Sequence, residues 1–114
     1  MLIYKIFRAV EWAELRDNGR TQGAPIDRED GFVHFSTGEQ VAETVSKYFA
    51  DVEGLCILAC ESDTLGETLK WEPSRGGALF PHLYRELTVD DILWQTDLPL
   101  GPDGHEFPEG VLPQ

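Results

Sequence analysis

No stretch of the chain reaches about 18 consecutive apolar residues, the length a membrane-spanning helix needs, so no membrane span is expected. The apolar start MLIYKIFRAVEWAEL soon turns charged and carries no cleavage-site pattern. It reads as a strand entering the fold rather than a signal peptide, and the cytosol is the expected location. Basic residues are scarce: 9 Lys and Arg stand against 21 Asp and Glu, a net charge of −12 with a pI near 4.4. Such a chain repels polyanions at long range. Duplex DNA and long RNA, which need concentrated Lys and Arg, are therefore poor partners. A small anion needs only one local pocket of Arg and Lys, so it stays within reach. The plainest use of the charge is solubility.

Cysteine is nearly absent as well. Cys56 and Cys60 both lie in the apolar run GLCILACES. In a strand, four residues set them about 13 Å apart on one face, whereas a disulfide needs Cα atoms within about 7 Å. They read as free, buried, small hydrophobes rather than a redox or metal pair. Repeats, linkers and signs of a second domain are also missing, and 114 residues fit one domain of about 100–150. What is present, 41% hydrophobic and 11% aromatic residues, is enough for a real core; a chain of this size buries roughly two-thirds of its unfolded surface.

Along the chain, Leu2 to Phe7 reads as a strand with two largely apolar faces, and Ala9 to Asp17 as a short helix stopped by Asn18-Gly19. Arg20 to Asp30, polar and holding Gly23 and Pro25, reads as a loop. Gly31 to Ser36 is a strand with Phe32, His34 and Ser36 on one face and Val33 and Phe35 on the other. Ser36-x-x-Glu39 and Thr37-x-x-Gln40 both fit a capping box, and Val41, Val45, Tyr48 and Phe49 follow as an apolar stripe, which predicts a helix over about Gly38 to Ala50. Further strands are expected at Gly54 to Glu61, Leu69 to Glu72, His82 to Leu87 and Leu93 to Leu98, with turns at Ser74 to Gly77 and Val89 to Ile92. The Pro- and Gly-rich tail from Gly101 is expected to be irregular and loosely packed or frayed, beyond an ordered core of about residues 1–100. Strands with only two main helices argue for a single α+β domain with a mixed or antiparallel sheet, not a doubly wound parallel one.

The polar candidates gather in three stretches. His34 and Ser36 share a strand face beside an expected helix N-terminus, whose unpaired amides and dipole attract anions. An imidazole, a hydroxyl and such amides can hold a phosphate or carboxylate. The plainer roles are a cap from Ser36 or Thr37 and a satisfied, half-buried His34. Asp27 and Asp30, just upstream, order the loop or raise the pKa of a nearby histidine. Glu72 ends a strand before Pro73; it is a candidate general base or sugar-hydroxyl acceptor, or else a solvated carboxylate pairing with Arg75. Trp71 is a stacking candidate, though core packing is its commoner use. Pro81 fixes the entry of a strand on which His82 and Tyr84 share a face, so His82 and His34 can face each other across a cleft. Two histidines and a carboxylate are also a metal inventory, but their spacings fit no short metal motif and no metal is expected. Ser36 with either histidine resembles part of a nucleophilic dyad, but lacks the flanking glycines of a nucleophile elbow. His105, in the tail, is expected to be exposed.

IYKI followed by Trp12, DGFVHFST with Gln40, the KWE of Lys70 to Glu72 and FPHLY together resemble a bacterial family catalogued as domain of unknown function 952. The resemblance runs from about Leu2 to Leu87. Arg85 follows the tyrosine where that family tends to carry a small residue, which narrows the nearby cleft. The resemblance implies an ADP-ribosyltransferase-like fold, similar to the RNA 2′-phosphotransferase branch. There, an early strand carries one histidine and a later strand carries a second in a context like VHFS. His34 matches the second position. Lys5 stands at the first, a departure that counts against NAD-dependent chemistry.

On this reading the chain is a transferase-like enzyme, or a degenerate one, whose cleft takes NAD or another compact nucleotide-like or phosphorylated ligand. His34, Glu72 and His82 carry the chemistry, and Asp27, Ser36, Thr37, Trp71 and Tyr84 hold the ligand. The alternatives are a non-catalytic small-molecule binder using the same cleft and a protein-interaction module. Convergence of the polar side chains on one concave site separates a ligand site from loops merely tied together.

Overall fold

In the apolar strand β1 (Leu2–Arg8), Ile3 and Phe7 lie on one face and Tyr4 and Ile6 on the other, all of them buried. Its neighbour β5 (Leu55–Glu61) is a near-continuous hydrophobic run. A strand covered on both faces has that composition. The two pair antiparallel along their full length, Leu2 opposite Glu61 and Arg8 opposite Leu55. They form the middle of a four-stranded sheet, with β4 (Ser36–Thr37) beside β1 and β9 (Trp94–Leu98) beside β5. The computed structural model describes residues 1–113, apart from the side chain of Arg75.

One face of this sheet, carrying Tyr4, Ile6, Leu55, Ile57 and Ala59, packs with Val41 and Val45 of helix α3 (Val41–Tyr48). The other face, with Ile3, Phe7, Cys56, Leu58 and Cys60, packs with Leu15 of α1 (Ala9–Asn18) and with Val33 and Leu83 of a second antiparallel sheet. That second sheet has the order β3 (Val33–His34), β7 (Leu79–Leu83), β6 (Leu69–Pro73). Its inner face joins the core, so its outer face is left to present side chains. Two short ladders complete the fold: β2 (Arg20–Thr21) with β8 (Leu87–Thr88), and β10 (Leu100–Gly101) with β11 (Gly104–His105). Helices α2 (Pro25–Asp30) and α4 (Ser62–Leu65) are one or two turns each. The architecture is thus α+β with antiparallel sheets, and both cysteines are free and buried. Among the described residues no helix is long and apolar enough to cross a membrane.

Several sequence expectations need correction. The loop over Arg20 to Asp30 holds β2 and α2, because Pro25 is placed at a helix start and Gly31, at φ 86°, supplies the left-handed stop. The strand expected over Gly31 to Ser36 is two strands in different sheets. Val33 and His34 pair with β7, Phe35 N–H donates to the Pro81 carbonyl at 3.0 Å, and Ser36 then joins β1 opposite Tyr4. Helix α3 starts at Val41 rather than Gly38. Thr37 and Gln40 form a turn instead, with Thr37 N–H donating to Gln40 Oε1 and Gln40 N–H to the Thr37 carbonyl, both at 3.0 Å. Tyr48, expected in the apolar stripe, is 59% exposed. The strand expected over His82 to Leu87 ends at Leu83, and Leu87 pairs separately with Thr21. The tail is not frayed: Val111 is buried in the core with α3. A Cβ on Gly38 would lie 2.6 Å from the Val111 carbonyl oxygen, so the tail fits against that glycine. His105 is half-buried, its Nε2 2.7 Å from the Val52 carbonyl.

Candidate functional site

The outer face of the second sheet carries the polar cluster. His34 and His82 are directly opposite in the β3–β7 register. Cross-strand partners project to the same side, and their ring centroids are 5.3 Å apart. Lys70 pairs with His82, and Glu72, two residues on, shares that side. Glu72 Oε1 lies 2.8 Å from His82 Nδ1 and accepts the Tyr84 hydroxyl at 2.7 Å. Those two hydrogen bonds, Tyr84 first, hold the Glu72 carboxyl below its ordinary value, and the same carboxylate raises the Tyr84 hydroxyl. Phe32 sits among the rings, stacked on His82 at 4.2 Å and within 4.5 Å of His34 and 5.1 Å of Tyr84.

Beneath His34 lies an ion pair inside the core. Asp27, 1% exposed, stands at the start of α2 and accepts Ala24 N–H at 2.7 Å. Its Oδ1 accepts the His34 backbone N–H at 2.9 Å and lies 2.7 Å from His34 Nδ1. From the other side Lys5 Nζ, on the inward face of β1, reaches Asp27 Oδ2 at 2.8 Å. Burial alone would raise the Asp27 carboxyl, but hydrogen bonds from His34 and the Lys5 charge outweigh it, and the group lies below its ordinary range. Burial pulls the Lys5 ammonium below its ordinary value, and Asp27 opposes that pull. Gly23 makes room for this arrangement: its φ is +99°, and a Cβ there would overlap Asp27 Oδ2.

The two imidazoles are held differently. His34 has Nδ1 on Asp27 and Nε2 3.0 Å from Asp30 Oδ2, so both ring nitrogens face carboxylates. His82, 5% exposed, has Glu72 on Nδ1, and among the described residues its Nε2 has no hydrogen-bond partner. An Nδ1–H directed at a carboxylate leaves Nε2 as the basic atom, the arrangement that orients a histidine for proton transfer.

Of the residues singled out from sequence, His34, His82, Glu72 and Tyr84 converge here. Ser36 and Thr37 do not. Ser36 Oγ is 3.0 Å from Thr44 Oγ1 of α3, and Thr37 is tied into its turn, because the chain changes sheets at Phe35. No amides of α3 are aimed at His34 through a Ser36 or Thr37 cap, since α3 begins only at Val41. Trp71 is out of the cluster by alternation: it follows Lys70 and precedes Glu72, so it lies on the opposite face with Leu69 and Leu83, at a rim that leaves it 40% exposed. Asp27 is not a surface group for a ligand; its carboxylate is wholly covered and holds His34. The Glu72–Arg75 pairing falls on a side chain outside the described ones. The family resemblance singled out Lys5, but sequence reasoning missed its pairing with Asp27. Its signal was present, a lone ammonium at an inward position between Ile3 and Phe7, which needs a buried partner. Among the described residues no group of three or more His, Cys, Asp and Glu side chains is placed to hold a metal ion.

The fold and cluster define an α+β domain that carries a histidine–carboxylate face on the outside of its smaller sheet. The chain belongs to the family described as protein of unknown function DUF952, whose profile matches residues 6–95. It is similar to the crystal structure of protein CC0527 from Caulobacter crescentus, a structural genomics target, at 50% identity over 92% of each chain with a TM-score of 0.88. A crystal structure of a methionine double mutant of CC0527 (48% identity, 92% of each chain, TM-score 0.87) and its solution NMR structure (50% identity, 91% of this chain and 90% of that one, TM-score 0.82) agree. No curated protein matches the chain.

Proposed function

We propose that the outer face of the smaller sheet binds a compact nucleotide-like or phosphorylated ligand, NAD among the candidates, on an ADP-ribosyltransferase-like scaffold. The observation that carries this reading is the pair of imidazoles at paired strand positions, each with Nδ1 on its own carboxylate and both around the ring of Phe32. Aromatic and imidazole rings offer stacking surface to a base or nicotinamide ring. Carboxylates and hydroxyls suit ribose hydroxyls. Lys5, at the position of the first histidine in the family resemblance, supports Asp27 from inside the core and does not meet the ligand.

Binding is favoured over full catalysis at His34, because both of its nitrogens already face carboxylates. Any general-base role falls to His82 with Glu72. The test is a thermal-shift screen against nucleotides, NAD fragments and sugar phosphates. A ligand at 100 times its Kd stabilises by about 2.7 kcal/mol. His34→Ala is expected to abolish the shift and keep the fold. A nucleotide shift that persists undiminished in both His34→Ala and His82→Ala, or no shift with any of these compounds, overturns the reading.

A further inference from the structure

Next to the histidine face the surface falls into a hollow of about 280 Å³ whose walls include Gln22, Asp27, Arg28, Tyr84, Arg85 and Glu86. Tyr84 belongs to both, its hydroxyl on Glu72 and its flank in the hollow. Gln22, Arg28 and Glu86 also line a second, more open hollow with Glu14 and Arg20, so the two share walls and adjoin along one groove. Three of the chain's 9 basic residues, Arg20, Arg28 and Arg85, thus line one groove of a protein with net charge −12. Asp27, Glu14 and Glu86 line the same walls, so the arginines are balanced by carboxylates and what they offer a small anion is their unused N–H donors rather than a net positive field.

The arginines are positioned yet not used up. A guanidinium has five N–H donors. Arg28 gives three, to the Gly23 carbonyl, Gln22 Oε1 and Glu14 Oε2. Arg85 likewise gives three, two to the Asp91 carboxylate and one to the Glu86 carbonyl. Fixed planar guanidiniums with donors to spare suit bidentate phosphate recognition. Arg20 is 71% exposed, and its Nε is 3.9 Å from Glu86 Oε1. Glu86 is thus the carboxylate inside the groove with the weakest hold on it; Glu14 and Asp91 are each bound at 2.7–2.8 Å.

Resting on the nucleotide reading above, we propose that this groove is the seat of the ligand's phosphate groups, with a diphosphate spanning Arg85, Arg28 and Arg20 and displacing the Glu86 carboxylate. The ligand's ring portion then lies past Tyr84 on the histidine face. Glu86 acts as a resident competitor, which makes the arrangement testable in both directions.

The probe is inorganic pyrophosphate, followed by amide chemical shifts in the 15N-labelled protein, with adenosine as the phosphate-free partner for the histidine face. Pyrophosphate is expected to move the amides of Gln22, Arg28, Arg85 and Glu86 and to weaken as salt rises. Arg28→Gln is expected to weaken it about tenfold, as loss of one charge-assisted hydrogen bond does. Arg20→Gln, on an exposed side chain that the fold does not depend on, is expected to weaken it by a smaller factor. Glu86→Gln is expected to tighten it severalfold. If Arg28→Gln loses its native amide spectrum, Arg20→Gln and Glu86→Gln decide. Pyrophosphate shifts confined to the His34–His82 face, no shift at all, or weaker binding in Glu86→Gln overturn the proposal. Nucleotides that bind while the groove amides stay still overturn it and leave the histidine-face reading standing. Pyrophosphate in the groove with neither nucleotide nor adenosine at the histidines supports it and removes that reading.

Discussion

The two faces of β1 are built on opposite principles. Toward α3, Tyr4 and Ile6 meet Val41, Val45, Leu55 and Ile57, an interior of apolar and aromatic side chains without a buried ion pair among the described residues. Toward the smaller sheet, Ile3 and Phe7 are equally covered, but Lys5 between them points an ammonium at Asp27 inside the core. Burying two charges costs several kcal/mol each, and their attraction seldom does more than offset it. Stability alone would have placed a leucine or methionine at Lys5. The apolar face holds the protein together; the charged face holds the orientation of His34 and accepts a stability cost to do so.

That contrast can be broken most forcefully at Asp27. Asp27→Ala leaves the Lys5 ammonium buried without its partner and frees the Ala24 and His34 amides; urea melts are expected to show a loss of roughly 3–5 kcal/mol. Adding Lys5→Met to Asp27→Asn is expected to recover part of the loss of Asp27→Asn alone, because no charge is then stranded. The pH dependence has the same origin. The folded Asp27 carboxyl lies below its ordinary value of 3.8, so the unfolded chain binds this proton more readily. The stabilisation is complete above that value and drains away as pH falls through it toward the folded value. Acid melts of Asp27→Asn are expected to be flatter than those of the parent over that window.

Val45→Ala attacks the other face. Removing two buried methyl-sized groups is expected to cost about 2 kcal/mol in denaturant melts and to leave any nucleotide-induced shift intact. A reduced shift would mean the two faces are coupled through β1. Ser36→Ala is expected to cost less, about 1 kcal/mol, since it deletes only the contact with Thr44. It too should leave ligand binding unchanged, and lost binding would bring Ser36 back into the site. The smallest effect is expected at the cysteines. Burial pushes Cys56 up to about 11 and Cys60 up to about 12, so thiol titration of the native protein at neutral pH should label neither until denaturant is added.

The core of this protein was legible from its sequence. Period-2 alternation marked both faces of β1, the hydrophobic run marked β5, and the Val41/Val45 spacing marked α3, because burial of apolar side chains follows the local period of the backbone. The spacing of Cys56 and Cys60 likewise excluded their disulfide. The histidine face was half legible. Alternation put Phe32 with His34 and His82 with Tyr84, and both held. The switch of sheets at Phe35 was invisible, because GFVHFS has the same alternation whether its two halves pair with one partner or with two. Ser36 was therefore carried along with His34, although it leaves that sheet after Phe35 and pairs with Tyr4 of β1. Nor did any local signal join Lys5 to Asp27, 22 residues away, or bring Arg20, Arg28 and Arg85 to one groove. Sequence by itself determined which segments bury which faces, since that is a property of neighbours along the chain. Which polar groups meet depends on strand register and sheet order, which only the closed tertiary structure decides.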